Sequence, residues 1–127
     1  MVVDTSALLA LLLGEPAAAW VAEQLQGHST DLLMSTVNLT ETLIRLHDLR
    51  PAAFDSVERR LVRGDIRYVP PTIEHAQIAA AARLRFPLNL GDCFAYALAV
   101  AEGVPILTLD RDFRGVDCQV ITLPPRF

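Results

Sequence analysis

Val104-Pro105-Ile106-Leu107-Thr108-Leu109-Asp110 decides the fold. Its start is continuously apolar instead of alternating, which predicts a strand within 104–109 covered on both faces and ended by a carboxylate. The chain opens the same way, with Met1-Val2-Val3 running into Asp4. Leu32-Leu33-Met34 is another apolar run, and residues 66–69 and 119–123 read as two more strands. Between these runs lie helical stretches at about 5–13, 16–26, 37–49, 52–62, 72–85 and 91–103. Thr5 or Ser6, Ser35-Thr36 and Thr72 stand where N-caps are expected, while Gly14, Gly27, Pro51, Gly64 and Gly103 mark stops. Strands alternating with helices imply right-handed crossovers, hence an α/β fold with a mostly parallel central sheet.

Composition agrees with a compact domain. The chain has 127 residues, of which 52% are hydrophobic and 20% charged. That length fits one domain spanning 1–127, with a core large enough to need no disulfide or metal staple. A disordered or solvating segment is excluded. The net charge of -4 excludes a polycation that grips nucleic acid by charge alone. Every one of the 11 basic residues is arginine. Cys93 and Cys118 have no CxxC spacing and form no zinc signature. The run from Ala7 to Leu13 is too short to span a bilayer and follows an acid, so a cytoplasmic protein without a membrane anchor is expected.

Most of the 15 acidic residues are ordinary solvated surface. Asp4 and Asp110 differ, because they end strands whose carboxyl ends are where parallel α/β sheets collect ligands. Asp112, in the turn that follows, has the simpler alternative of an ordinary polar turn residue. Asp92 opens a helix, where an acid also has the simpler role of complementing the macrodipole. Glu41 shares a helix face with Val37 and Ile44, a costly position unless its charge is paired or bound to metal; the alternative is that it flanks the stripe and reaches water. Asn38, one turn earlier, is placed to hold its carboxylate. Clustered carboxylates without histidine or thiol partners fit a hard cation, magnesium or manganese. Such a site suits phosphodiester hydrolysis and gives an acidic protein a local positive field for RNA.

Four segments then line up with a known pattern: Val2-Val3-Asp4-Thr5-Ser6-Ala7, Asn38-Leu39-Thr40-Glu41-Thr42, Leu90-Gly91-Asp92-Cys93-Phe94-Ala95-Tyr96-Ala97, and Leu107-Thr108-Leu109-Asp110-Arg111-Asp112-Phe113. Their order over nearly the whole chain resembles the PIN-domain nucleases, specifically the VapC toxins of type II toxin–antitoxin systems. The resemblance implies a three-layer α/β/α fold and magnesium-dependent ribonuclease activity. It carries the metal-binding and catalytic acids onto Asp4, Glu41, Asp92 and Asp110, with Asp112 as alternative or supporting ligand. Ser6 and Thr108 match hydroxyl residues beside the first and last acids. It further implies a homodimer and a VapB-like antitoxin whose C-terminal segment covers the site, often inserting an arginine.

Two other readings compete with this one. A catalytically inactive PIN-like module binding RNA or protein is disfavoured by the intact acids. A haloacid-dehalogenase-type phosphatase needs a second aspartate where Ser6 stands and an activating lysine, which the chain lacks. Arg59, Arg60, Arg63 and Arg67 read as a solvated basic face, and Arg83 and Arg85 as better placed for substrate. His28, His47 and His75 carry no assigned role. Trp20 reads as core packing.

Overall fold

A parallel ladder runs through five short strands, β1 (Val2–Val3), β2 (Leu32–Ser35), β3 (Ile66–Val69), β4 (Ile106–Leu107) and β5 (Val120–Ile121), in the computed structural model, which describes residues 1–28 and 31–124. Their order is β3-β2-β1-β4-β5, and every pairing is parallel. Six helices connect or cover them: α1 (Thr5–Leu13), α2 (Ala18–Gly27), α3 (Thr36–Leu49), α4 (Phe54–Arg63), α5 (Ile73–Arg85) and α6 (Leu90–Glu102). Short 3-10 turns occupy Pro51–Ala53 and Arg111–Gly115.

β1, β2 and β4 are buried on both faces, successive side chains pointing to opposite sides, while the edge strands β3 and β5 are only partly covered. Val2, Leu33 and Ile106 enter one core with Ala79 and Ala82 of α5, Ala95 and Leu98 of α6, and Phe113. Val3, Leu32, Met34 and Leu107 enter the other with Ala7, Leu8 and Ala10 of α1 and Val21 of α2. The result is the expected α/β/α sandwich. No single helix among the described residues is long and apolar enough to cross a membrane. The pair α1 and α2 has the length only jointly, is bent by 118°, and contributes its inner faces to the core.

Chain direction reverses at β1: the chain moves outward to β2 and β3, then returns to β4 on β1's other side. Such a point opens a crevice at the carboxyl ends of the strands. Val3 pairs with Leu107, so Asp4 and Thr108 emerge side by side.

Local details differ from the sequence-based expectation at three places. Neither Thr5 nor Ser6 caps α1; Asp4 does, its side chain accepting from the Ala7 amide at 2.9 Å. The sixth helix begins at Leu90, with Asn89 and Asp92 forming a reciprocal capping box. Finally, the face shared by Val37, Glu41 and Ile44 is not the buried face of α3. Ile44 is 57% exposed, while Asn38, Thr42 and Leu46 point inward. Glu41 therefore flanks the buried stripe, half-covered, instead of sitting inside it.

Candidate metal centre

Asp4 is only 3% exposed, and donors converge on both its carboxylate oxygens. Ser6 Oγ donates to Oδ1 at 2.8 Å beside the Ala7 amide, and the Thr108 hydroxyl donates to Oδ2. Both hydroxyls are themselves fixed from behind. Ser6 Oγ accepts from the Leu109 amide at 2.9 Å, and Thr108 Oγ1 accepts from the Asp110 amide at 2.9 Å. Because each hydroxyl proton goes to Asp4, the rotamer of this acid is set by β4 and the turn after it.

Burial pushes the Asp4 carboxyl up from 3.8 to about 6, the hydrogen bonds pulling against burial and the nearby Asp110 charge adding to it. Asp92 is pushed up to about 7, first by burial and then by the charges of Asp110, Asp4 and Glu41. Oxygens of Asp92, Asp110 and Asp112 all lie within 4.8 Å of one another. Asp112, although exposed, is as much part of this group as Asp110, so the two are not exclusive in space. Asp110 caps the 3-10 turn by accepting from the Asp112 amide at 2.9 Å, which orders that turn.

Glu41 reaches the same end of the sheet from α3. Its Oε1 accepts from Thr5 Oγ1 at 2.9 Å and from Asn38 Nδ2 at 3.0 Å. Asn38 Nδ2 also donates to the Gly91 carbonyl at 3.0 Å, tying α3 to the start of α6. The expected support of Glu41 by Asn38 is therefore present. Its buried Oδ1 has no partner, yet turning the amide over would set that oxygen against two acceptors, so the orphan is the lesser cost. A Cβ at Gly91 would stand 2.3 Å from either carboxylate oxygen of Glu41, so the absence of a side chain there admits this acid.

From sequence, Thr5 reads only as a helix cap and Gly91 only as a helix start. Neither position carries a local signal for its function, because the partner of each is Glu41, 36 residues beyond Thr5. The pattern Asn89-Leu90-Gly91-Asp92 does carry the capping signature, displaced by the glycine that reads as a helix start.

The donor set is all carboxylate and hydroxyl oxygen, without histidine or thiol. Among the described residues the only ion pairs are Arg67–Asp31 and Arg85–Asp117, so no basic side chain neutralises the five acids. Hard oxygen donors carrying uncompensated charge fit a divalent cation. The apolar groove of about 260 Å³ near Leu8, Leu11, Leu25 and Leu61 is lined by none of these acids and is not the reacting centre.

Residues 1–118 match the family model described as PIN domain. Ribonuclease VapC30 of Mycobacterium tuberculosis (strain H37Rv) is 35% identical over 136 residues, covering 98% of this chain and 100% of that protein. Ribonuclease VapC36 of the same organism is 37% identical over 129 residues, covering 94% of this chain and 91% of that one. The fold is also that of a chain in a toxin–antitoxin complex from Klebsiella pneumoniae, with a TM-score of 0.80, 19% identity and 95% of each chain covered. With four acid-bearing segments in family order and this similarity end to end, the chain belongs to the PIN-domain family and, within it, to the VapC ribonucleases.

Proposed function

We propose that the protein is a metal-dependent endoribonuclease, the toxin of a type II toxin–antitoxin pair, acting in the cytoplasm. The observation carrying this reading is the convergence of Asp4, Glu41, Asp92, Asp110 and Asp112 at the carboxyl end of a parallel sheet, with no basic side chain among the described residues paired to any of them. Asp4, Glu41, Asp92 and Asp110 would hold magnesium, or manganese in its place, with Asp112 as a further oxygen donor. A divalent cation bound there supplies activation of a water and neutralisation of charge on the scissile phosphate.

The chain's own groups prepare that chemistry. Ser6 and Thr108 lock the Asp4 carboxylate, and Thr5 and Asn38 lock Glu41, so neither acid has to be ordered when the substrate arrives. Asp92, at about 7, holds a proton for part of the time at neutral pH and gives it up when positive charge enters the cluster. The capping box fixes its Oδ2 on the Asn89 amide. An RNA phosphodiester is the substrate class, a homodimer the assembly, and a VapB-like antitoxin the partner.

Asp92→Asn tests the assignment with the least disturbance, since asparagine keeps the size and an oxygen for the capping box. Without metal the variant is expected to melt no lower than wild type, since it removes a buried, charge-crowded carboxylate, and to cut RNA no faster than chelator-treated wild type. Undiminished cleavage would remove Asp92 from the site.

A further inference from the structure

The segment carrying Asp110 and Asp112 is fastened a second time, beyond the carboxylates. Tyr96 of α6 is only 4% exposed and donates its phenolic OH to Asp117 Oδ1 at 2.5 Å. Arg85, at the end of α5, donates to Asp117 Oδ2 at 2.8 Å and lies 4.7 Å from the Phe86 ring centroid. Phe86 in turn meets Tyr96 edge-on, with ring centroids 5.8 Å apart. Arg85, which the sequence places near the substrate, is paired with Asp117.

Helix geometry gives this contact its meaning. Asp92 and Tyr96 are four residues apart, one above the other on the same face of α6. The chain from Asp110 to Asp117 runs past that face. Its beginning brings Asp110 and Asp112 to Asp92; its middle buries Phe113 completely; its end reaches Tyr96. Three carboxylates within 4.8 Å repel one another, so contacts that hold the turn against α6 work against that repulsion.

We propose that Tyr96 and Asp117, with Arg85 at the rim, are positioning residues for the cation site: they clamp the 110–117 segment against α5 and α6, and so set the spacing of Asp110 and Asp112 from Asp92. This rests on the reading of those acids as a cation site. Groups bonded directly to a metal ligand change affinity by about 10–100-fold, and a clamp five residues beyond Asp112 belongs at the lower end of that range. A purely structural contact would change melting temperature without changing affinity.

The test is calorimetric titration of the purified full chain, free of antitoxin, with manganese alone, alongside thermal melting. Tyr96→Phe keeps the ring and removes only the hydroxyl; it is expected to raise the manganese dissociation constant by about tenfold. Asp117→Ala, which removes the acceptor of both Tyr96 and Arg85, should weaken binding at least as much, and adding Tyr96→Phe to it should cost little more, because the partner of the hydroxyl is already gone. Arg85→Gln should cost less than about threefold, its pair being more than half in solvent. Folded Tyr96→Phe with a lower melting point but wild-type manganese affinity would overturn the clamp alone. Wild-type protein that binds no manganese would overturn the cation site, and the clamp with it.

Discussion

A methyl group on residue 91 would collide with both oxygens of Glu41 at 2.3 Å, and those oxygens end a flexible side chain. The collision is therefore relieved by moving Glu41, not the backbone. Gly91→Ala is expected to fold, within about 1 kcal/mol of wild type because alanine favours the helix, and to lose metal affinity by about tenfold as Glu41 leaves its place. Manganese titration with a parallel urea melt checks both halves; unchanged affinity would mean that Glu41 is not a ligand. At this scale the sequence shows which acids stand at strand ends and helix starts, and does not show what holds them. Asp4, Asp92 and Asp110 stand at strand ends and helix starts, positions that show in a linear pattern. Thr5 and Gly91 act only through a side chain on another element, and spacing along the chain does not encode that.

Elements were legible where burial is complete. Continuous apolar runs at β1, β2 and β4 read as strands covered on both sides, and both cores contain their residues. The third helix was harder. Its Val37-Glu41-Ile44 spacing has helical period, but period does not say which side faces in, and the inner side is the polar-bearing Asn38, Thr42 and Leu46. A polar inner side is unexpected from hydrophobic patterning and has its reason here: Asn38 serves Glu41 and Gly91. The last 3-10 turn, Arg111–Gly115, which carries Asp112, has one fully buried side chain, Phe113, in addition to the contacts of Asp110 and Asp117. Phe113→Ala should cost about 3–5 kcal/mol in chemical denaturation and also weaken manganese binding, since the turn loses its hold. A loss of stability with unaltered binding would show that the turn is positioned by other contacts.

Across the whole molecule, the site stores a conflict that pH exposes. The folded-state values of Asp4 and Asp92, about 6 and about 7, lie above the 3.8 of an unperturbed aspartate. The folded protein therefore holds more protons than the unfolded chain between about pH 4 and 7, and these two groups make it less stable as pH rises through that window. Asp4 alone corresponds to roughly 3 kcal/mol, absent below its unfolded value and complete above its folded one. Measured without metal, wild type should lose stability relative to Asp4→Asn as pH rises from about 4 to 7. Magnesium should restore it more at the upper end, where protons no longer compete for the oxygens. A wild-type-minus-variant difference that is flat with pH would contradict a buried, charge-crowded Asp4.

The central claim is that these acids cut RNA with a divalent cation. The most direct measurement is cleavage of end-labelled total RNA by the purified protein, in magnesium and in chelator, beside Asp4→Asn. Discrete fragments that need magnesium and vanish in the variant are predicted. The same fragments from folded Asp4→Asn, or none from folded wild type freed of antitoxin, would contradict the account.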